Sequence, residues 1–311
     1  MPIRLPKDLP ATEILQKENV FAISDTRANH QDIRPLEILV ANLMPDKINA
    51  EVQLLRLLSQ SPLQVNATLL KMSQHESKHT SATHLEKFYQ EFARLQDLTF
   101  DAMIITGAPL EKIPFEEVDY WQELTTIMDW SQSHCTSVLH ICWGAQAGLY
   151  HHFGIEKVLY AKKLFGIYPQ IATDLDSPLL TGFDDCFYTP QSRYTGINPK
   201  QVAESSLQVL AASSEIGPTI LVSPDEKNIF LLGHFEYETS TLDEEYRRDH
   251  QRGLTTALPQ NYYLNDDPQQ TIVNRWRGHA TLFFLNWLNE VYQVTPYDLS
   301  KILVNERCKR W

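Results

Sequence analysis

Between residues 35 and 141 the chain alternates strand-length apolar runs with amphipathic segments, and that alternation leaves few folds open. Pro35-Leu-Glu-Ile-Leu-Val-Ala-Asn-Leu43 reads as a first core strand, and residues 51–58 as an amphipathic helix. Residues 64–70 are strand-like, and 84–95 carry apolar residues at helical spacing. Residues 100–105, 120–130 and 136–141 continue as strand, helix and strand. Strands separated by helices in this way form right-handed βαβ units and a mostly parallel sheet. Sites in such sheets gather beyond the carboxyl ends of strands, where Asn42-Leu-Met-Pro45, Thr106-Gly-Ala-Pro109 and Cys142 would lie.

After residue 154 the apolar runs shorten and are broken by Pro and Asp. Residues 207–212, 219–222 and 228–232 look like strands of an antiparallel addition, and 277–292 like a final helix. The polar stretch 75–83 reads as a surface loop. With no Gly/Ser- or Pro-rich linker and no internal repeat, residues 1–311 are expected to form one domain. Residues 1–34 would be an N-terminal extension and 35–300 the catalytic α/β core.

The formal charge of −12 argues against a nucleic-acid surface. The four cysteines are far apart, without Cys-x-x-Cys or other metal-ligand spacing, and read as free thiols of a reducing compartment. No apolar run has the length of a membrane span, and Met-Pro-Ile-Arg-Leu-Pro lacks the apolar core of a signal peptide. A cytoplasmic protein is expected.

The chemistry centres on Cys142. The run Thr136-Ser-Val-Leu-His-Ile141 delivers it onto Trp143-Gly-Ala-Gln-Ala-Gly-Leu149, where small residues let helix and sheet approach closely. A sharp strand-to-helix turn of this kind exposes a nucleophile, and the helix N-terminus favours its thiolate. A buried structural cysteine is the plainer alternative. Gly233-His-Phe-Glu-Tyr237 follows another apolar run; on a strand continuation His234 and Glu236 would share a face. A histidine beside a thiol takes its proton, and a carboxylate fixes the tautomer and compensates the charge.

Cys142-x-Gly144-x-Gln146 with a later His-x-Glu resembles the Cys-His-Glu arrangement of class I glutamine amidotransferases, although His140 stands where glycine is usual. The whole chain more closely resembles the homoserine O-acyltransferases of methionine biosynthesis. The resemblance runs through His30-Gln-Asp-Ile-Arg-Pro35, Asn42-Leu-Met-Pro45, Thr106-Gly-Ala-Pro109, His140-Ile-Cys-Trp-Gly-Ala-Gln146, Ser192-Arg193, Trp287-Leu-Asn289 and Thr295-Pro-Tyr297. It implies an α/β, flavodoxin-like fold of the class I glutamine amidotransferase kind. The sheet would be mostly parallel and flanked by helices, with antiparallel strands added in the C-terminal half.

On this resemblance Cys142 carries the acyl group from an acyl-CoA, His234 is the base and Glu236 its partner. The backbone N–H of Trp143 would bind the oxyanion, with a second donor from Gly107 or Ala108; Pro109 has none to give. Lys163 and Ser192 resemble substrate-binding residues, and Arg248 the arginine that grips the acceptor carboxylate, a task suited to its planar fork. Lys47 reads as a surface lysine with a lesser claim to contact CoA. Glu111 resembles the residue of acetyl-transferring members, where succinyl-transferring ones have glycine. A succinyl carboxylate ~5 Å from Glu111 would be repelled by roughly 3 kcal/mol at an effective dielectric of ~20.

The resemblance thus implies acetyl transfer from acetyl-CoA to L-homoserine by a ping-pong scheme. No bound cofactor and no metal are expected; the partners are small-molecule substrates, without nucleic acid or membrane, and a homodimer is implied. Gln191, where the family has histidine, and Phe235, where a small residue is common, depart from the pattern beside the inferred acceptor pocket and keep L-serine open. Succinyl transfer, a glutamine amidotransferase-like hydrolase and a catalytically silent binding protein are the other readings.

Overall fold

The computed structural model describes residues 3–4, 8–17, 22–23, 34–73 and 80–303. Strands β1 (Ile3–Arg4) and β2 (Ala22–Ile23) flank helix α1 (Pro10–Lys17). The core follows as β3 (Leu36–Ala41), α2 (Lys47–Leu58), β4 (Val65–Lys71), α3 (Ala82–Phe88), β5 (Tyr89–Glu91) and β6 (Phe100–Ile105). Then come α4 (Trp121–His134), β7 (Cys135–Ile141) and α5 (Trp143–Phe153). The second half holds β8 (Lys157–Ala172), β9 (Cys186–Ile197), α6 (Pro199–Glu204), β10 (Gln208–Ser213), β11 (Gly217–Val222) and β12 (Asn228–Leu231). Helices α7 (Thr241–Gln251) and α8 (Arg277–Val294) complete it.

All described strands belong to one sheet, in the order β2-β1-β4-β3-β6-β7-β12-β11-β10-β8-β9, with β5 also on β4. From β2 to β12 every neighbouring pair is parallel; β11, β10, β8 and β9 continue antiparallel. The expected antiparallel addition is therefore present, with one correction. β12 pairs parallel to β7, Leu231 opposite Ile141, so it extends the parallel core and only its other edge is antiparallel.

Period-two alternation sorts the core strands onto two apolar layers. Ile38, Val40, Ala102 and Ile104 face a cluster with α1, α2 and α8. Leu39, Ala41, Met103 and Ile105 face α4 and the Trp143–Ala147 side of α5. The segment before residue 35 joins the same sheet and core, since Leu9, Ala11 and Leu15 are buried in the first of these layers.

Two expectations change. Residues 84–95 are not one helix: α3 ends at Phe88, Tyr89–Glu91 pairs with β4, and a 3₁₀ turn follows. Tyr89 is buried and its hydroxyl is engaged with Glu51 and Asn42, which fixes the chain there. The second change is the long β8–β9 hairpin, which the apolar pattern did not reveal. Residues 157–164 of β8 are half-buried to exposed, whereas Arg193, Thr195 and Ile197 opposite them on β9 are buried, and a Cβ on Gly166 would lie 2.4 Å from the backbone of Gln260.

The carboxyl ends of β3, β6, β7 and β12 lie side by side and lead into Asn42–Pro45, Thr106–Pro109, Cys142 and His234 respectively. Because β3 is followed by β4 on one side and neighbours β6 on the other, the order reverses beside β3, the place where open α/β sheets bind ligands.

Candidate active site

Cys142 leaves the sheet through a strained turn. Its φ of 51° and ψ of −112° are rare for a residue with a Cβ, and such strain costs about 1–3 kcal/mol and gathers at functional sites. Surrounding bonds hold it: the Cys142 N–H donates to the Leu231 carbonyl at 2.8 Å, and its carbonyl accepts from the Gln146 N–H at 3.1 Å, starting α5. A Cβ on Gly144 would lie 2.6 Å from the Thr106 carbonyl oxygen, and one on Gly107 would lie 3.3 Å from the Cys142 Cβ. The small residues thus let α5 and the end of β6 close on the thiol, which is 4% exposed.

His234 does not continue the strand. β12 stops at Leu231, and the chain turns, with the His234 N–H donating to the Pro190 carbonyl at 2.9 Å. The turn still joins His234 to Glu236, with Nδ1 donating to Oε1 at 2.6 Å, and the ring stacks on Tyr237 at 4.1 Å. Burial alone would push the His234 pKa down. The negative charges of Cys142 and Glu236, and hydrogen bonds to both, overcome it and hold the imidazole well above its ordinary value. The arrangement is a buried thiol, imidazole and carboxylate in sequence, which is chemically able to trap an acyl group and shuttle its proton.

A cleft of about 790 Å³ opens beside them. Gly107, Ala108, Pro109 and Glu111 form one wall with Cys142, and Lys163, Ser192 and Tyr194 come from the hairpin. Four residues of β8, 160–163, oppose the single Tyr194 of β9, and this bulge carries Lys163 into the cleft. Among the expected oxyanion donors, Trp143 is the first residue of α5 and Ala108 lies on the cleft wall. Burial raises the Glu111 pKa; its backbone hydrogen bond, Lys163 and His234 pull the other way, and Glu245 adds to the rise.

Sequence reasoning missed Glu245, which ties these groups together. Its Oε2 accepts from Lys163 Nζ at 3.1 Å and from the Ser192 hydroxyl, and its Oε1 accepts from the Tyr237 hydroxyl at 3.0 Å. Lys163 also lies 3.5 Å from Asp249, whose other oxygen takes an Arg248 N–H at 3.2 Å. Arg248 reaches the cleft with its side chain 50% exposed. The available signal was the spacing of α7, where Thr241, Glu245, Arg248 and Arg252 fall on one helical face.

Three residues stand elsewhere than expected. Lys47 is buried, its ammonium donating to the Asn42 and Met44 carbonyls at 2.6 and 3.3 Å, and burial brings its pKa down to about 8. It braces the 42–45 loop from behind and does not line the cleft. Gln191 faces the opposite side of β9 from Ser192, bonded to Thr189 and to the wholly buried Arg193. Phe235 packs in the core against Phe187 and Phe283. Neither lines the cleft, so the expectation that both lie beside a substrate pocket is corrected. His140 lies behind the turn, stacked on Phe230 and brought to a pKa of about 3 by burial and the nearby His152.

Cys135 is buried with its pKa raised to about 12 by burial, and Cys186 is exposed; neither lines the cleft. A second cavity of about 500 Å³, lined by Leu179, Leu210, Ile229 and Trp287, lies toward the amino ends of β7 and β12. Among the described residues one group, Asp129, His151 and His152, has the spacing to hold a metal ion, at the end of α5 away from Cys142. No described helix is long and apolar enough to cross a membrane.

Residues 2–297 match the family model described as homoserine O-succinyltransferase. A homoserine O-acetyltransferase of Lachnospira eligens is 52% identical over 303 residues, covering 97% of this chain and 98% of the other. Proteins of the same name from Geobacillus kaustophilus and Bacillus licheniformis are 52% and 53% identical over 300 residues, each covering 96% of this chain and 99% of its own. A glutamine amidotransferase from Thermotoga maritima superposes with a TM-score of 0.55 at 10% identity, covering 83% of this chain and 98% of that one. One from Methylobacillus flagellatus gives 0.53 at 13%, covering 83% and 95%. The fold is therefore of the class I glutamine amidotransferase kind. With nearly its full length matched by the family model and by relatives at half identity, the chain belongs to the homoserine O-succinyltransferase family.

Proposed function

We propose that this enzyme transfers an acetyl group from acetyl-CoA to the side-chain hydroxyl of L-homoserine, giving O-acetyl-L-homoserine and CoA. The observation that carries the reading is a buried Cys142–His234–Glu236 relay opening onto a cleft with Glu111 on its wall. In the first half-reaction the Cys142 thiolate attacks the thioester carbonyl. Backbone N–H groups of Trp143 and Ala108 stabilise the oxyanion, the C–S bond to CoA breaks, and the His234 imidazolium protonates the departing thiolate. Acylation removes the negative charge of Cys142, one of the influences that raise the His234 pKa, and leaves the imidazole a neutral base. It then takes the proton of the acceptor hydroxyl as that oxygen attacks the acetyl carbon. Collapse expels the Cys142 thiolate beside a restored imidazolium, held throughout by Glu236.

Arg248 suits the acceptor carboxylate and Glu245 its ammonium, with Lys163 and Ser192 setting the position of Glu245. The relatives named homoserine O-acetyltransferase support homoserine over serine and acetyl over the succinyl group in the family's name. A cytoplasmic homodimer without a bound cofactor completes the reading. Incubating the protein with acetyl-CoA alone should give an acetyl adduct on the Cys142 peptide by mass spectrometry, discharged by L-homoserine. Discharge by L-serine at equal concentration should be much slower. An adduct formed from glutamine and none from acetyl-CoA would favour a hydrolase instead.

A further inference from the structure

Helix α7 lines the cleft with a single face. Thr241, Glu244, Glu245, Arg248, Asp249 and Arg252 border it, residues three, four, seven, eight and eleven positions on from the first. Glu245 and Arg248 stand near the relay through Tyr237, Ser192 and Lys163. Arg252 lies seven residues beyond Glu245, about 10 Å farther along the axis at 1.5 Å per residue. Leu254 follows it on the cleft wall with its side chain 50% exposed.

The cations of the cleft differ in what already holds them. Lys163 is shared between Glu245 and Asp249, and Arg248 is bonded to Asp249. Arg252 lines the cleft and makes no ion pair or side-chain hydrogen bond with another described residue. Its backbone N–H caps the helix by donating to the Arg248 and Asp249 carbonyls, which reduces the bare carbonyl charge there. Helix α2 packs beside the start of α7: Gln53 meets Thr241, and Arg56 meets Glu238 just before the helix. The α2 N-terminus also borders the cleft through Asp46 and Asn49, with the Asp46 carboxylate accepting the Asn49 N–H at 3.2 Å.

We propose that this end of the cleft is the site for the phosphate-bearing half of the acyl-CoA, with Arg252 pairing with the diphosphate and Leu254 packing on the gem-dimethyl carbon beside it. The inference rests on the acyl-CoA reading above. The arm from thioester sulfur to diphosphate is comparable with four extended residues, about 14 Å, longer than the ~10 Å axial step from Glu245 to Arg252. The need is electrostatic: a chain of net charge −12 must admit a polyanionic donor, and an uncommitted guanidinium at the cleft offsets that repulsion.

The test compares acetyl-CoA with the acetyl thioester of N-acetylcysteamine, which keeps the reacting group and lacks the phosphates. In Arg252→Ala, kcat/KM for acetyl-CoA should fall about 10- to 100-fold, as expected for a lost charge-assisted hydrogen bond. The short thioester should change less than about twofold, Arg252→Lys should recover much of the loss, and the salt dependence of kcat/KM for acetyl-CoA should flatten. Lys112→Ala, which removes the cation resting 3.8 Å over the Tyr194 ring, should leave the ratio of the two donors unchanged. Equal losses on both donors in Arg252→Ala, no loss on either, or a ratio set by Lys112 would each overturn the assignment. Failure of the unmodified enzyme to form an acetyl-Cys142 adduct from either donor would instead overturn the acyltransferase reading itself.

Discussion

Glu111 should act as a filter whose strength depends on its charge, and that dependence can be measured. Its carboxyl lines the cleft beside Gly107, Ala108 and Cys142, so the far end of a succinyl group on Cys142 would approach it. Two carboxylates ~5 Å apart repel by roughly 3 kcal/mol at an effective dielectric of ~20, about a hundredfold in rate. Burial raises the Glu111 pKa, against the opposing pull of its backbone hydrogen bond, Lys163 and His234. The protonated form therefore persists above the ordinary carboxylate value of about 4.3, and the charge appears only as pH rises through the raised value. The ratio of kcat/KM for acetyl-CoA to that for succinyl-CoA should accordingly increase with pH across this window. Steps common to the two donors cancel in the ratio. Glu111→Gln keeps the volume without the charge and should give a smaller ratio, flat above the pKa of the succinyl carboxylate; Glu111→Gly should bring it down further, admitting succinyl-CoA. A wild-type ratio as flat as that of Glu111→Gln would show that charge is not the filter. An unmodified enzyme preferring succinyl-CoA would refute the donor assignment.

Cys142→Ala should abolish both the covalent adduct and turnover, while Cys135→Ala and Cys186→Ser retain activity; adduct mass and steady-state rate decide it. His234→Asn should cost about 10²–10⁴-fold in kcat with an unchanged circular dichroism spectrum, and Glu236→Gln less, since the ring is still held but its charge is uncompensated. An unaltered pH–rate profile in both would remove them from the mechanism. Glu245→Gln should raise the KM for homoserine about tenfold or more, because it loses charge-assisted bonds to Lys163, while the rate of acetyl-enzyme formation stays near wild type. Rapid-quench measurement of the first half-reaction separates these two effects. Gly144→Ala should lower the midpoint of thermal unfolding, its methyl lying 2.6 Å from the Thr106 carbonyl oxygen, at a cost of about 1–3 kcal/mol.

The parallel half of the sheet was legible because its strands are buried on both faces. Leu39 and Ile104 lie in unbroken apolar runs, Leu139 is buried in the next strand, and helices of ordinary period separate them. The turn at Cys142 was legible for a related reason: small residues after a buried strand have few other uses, and a Cβ on Gly144 has no room. The hairpin β8–β9 was not legible, because residues 157–163 face solvent on much of their length and show neither apolar alternation nor a turn signal. Lys163 and Ser192 were picked out by resemblance alone; the bulge opposite Tyr194 and the strand register decide that they reach the cleft.

Sequence by itself thus determined the residues able to do the chemistry and the strand ends that carry them, since both are written in short contiguous runs. Only the tertiary structure decided which polar groups share the cleft. A one-residue step along β9 sends Gln191 to the far face and Ser192 to the near one, and Phe235 points into the core although its neighbour His234 faces Cys142. Glu245 acquires its place from Lys163, Ser192 and Tyr237, on three separate segments, and Lys47 is buried by the loop it braces. Such contacts have no local period, because they arise where distant segments meet, and packing rather than propensity fixes which side chain faces which.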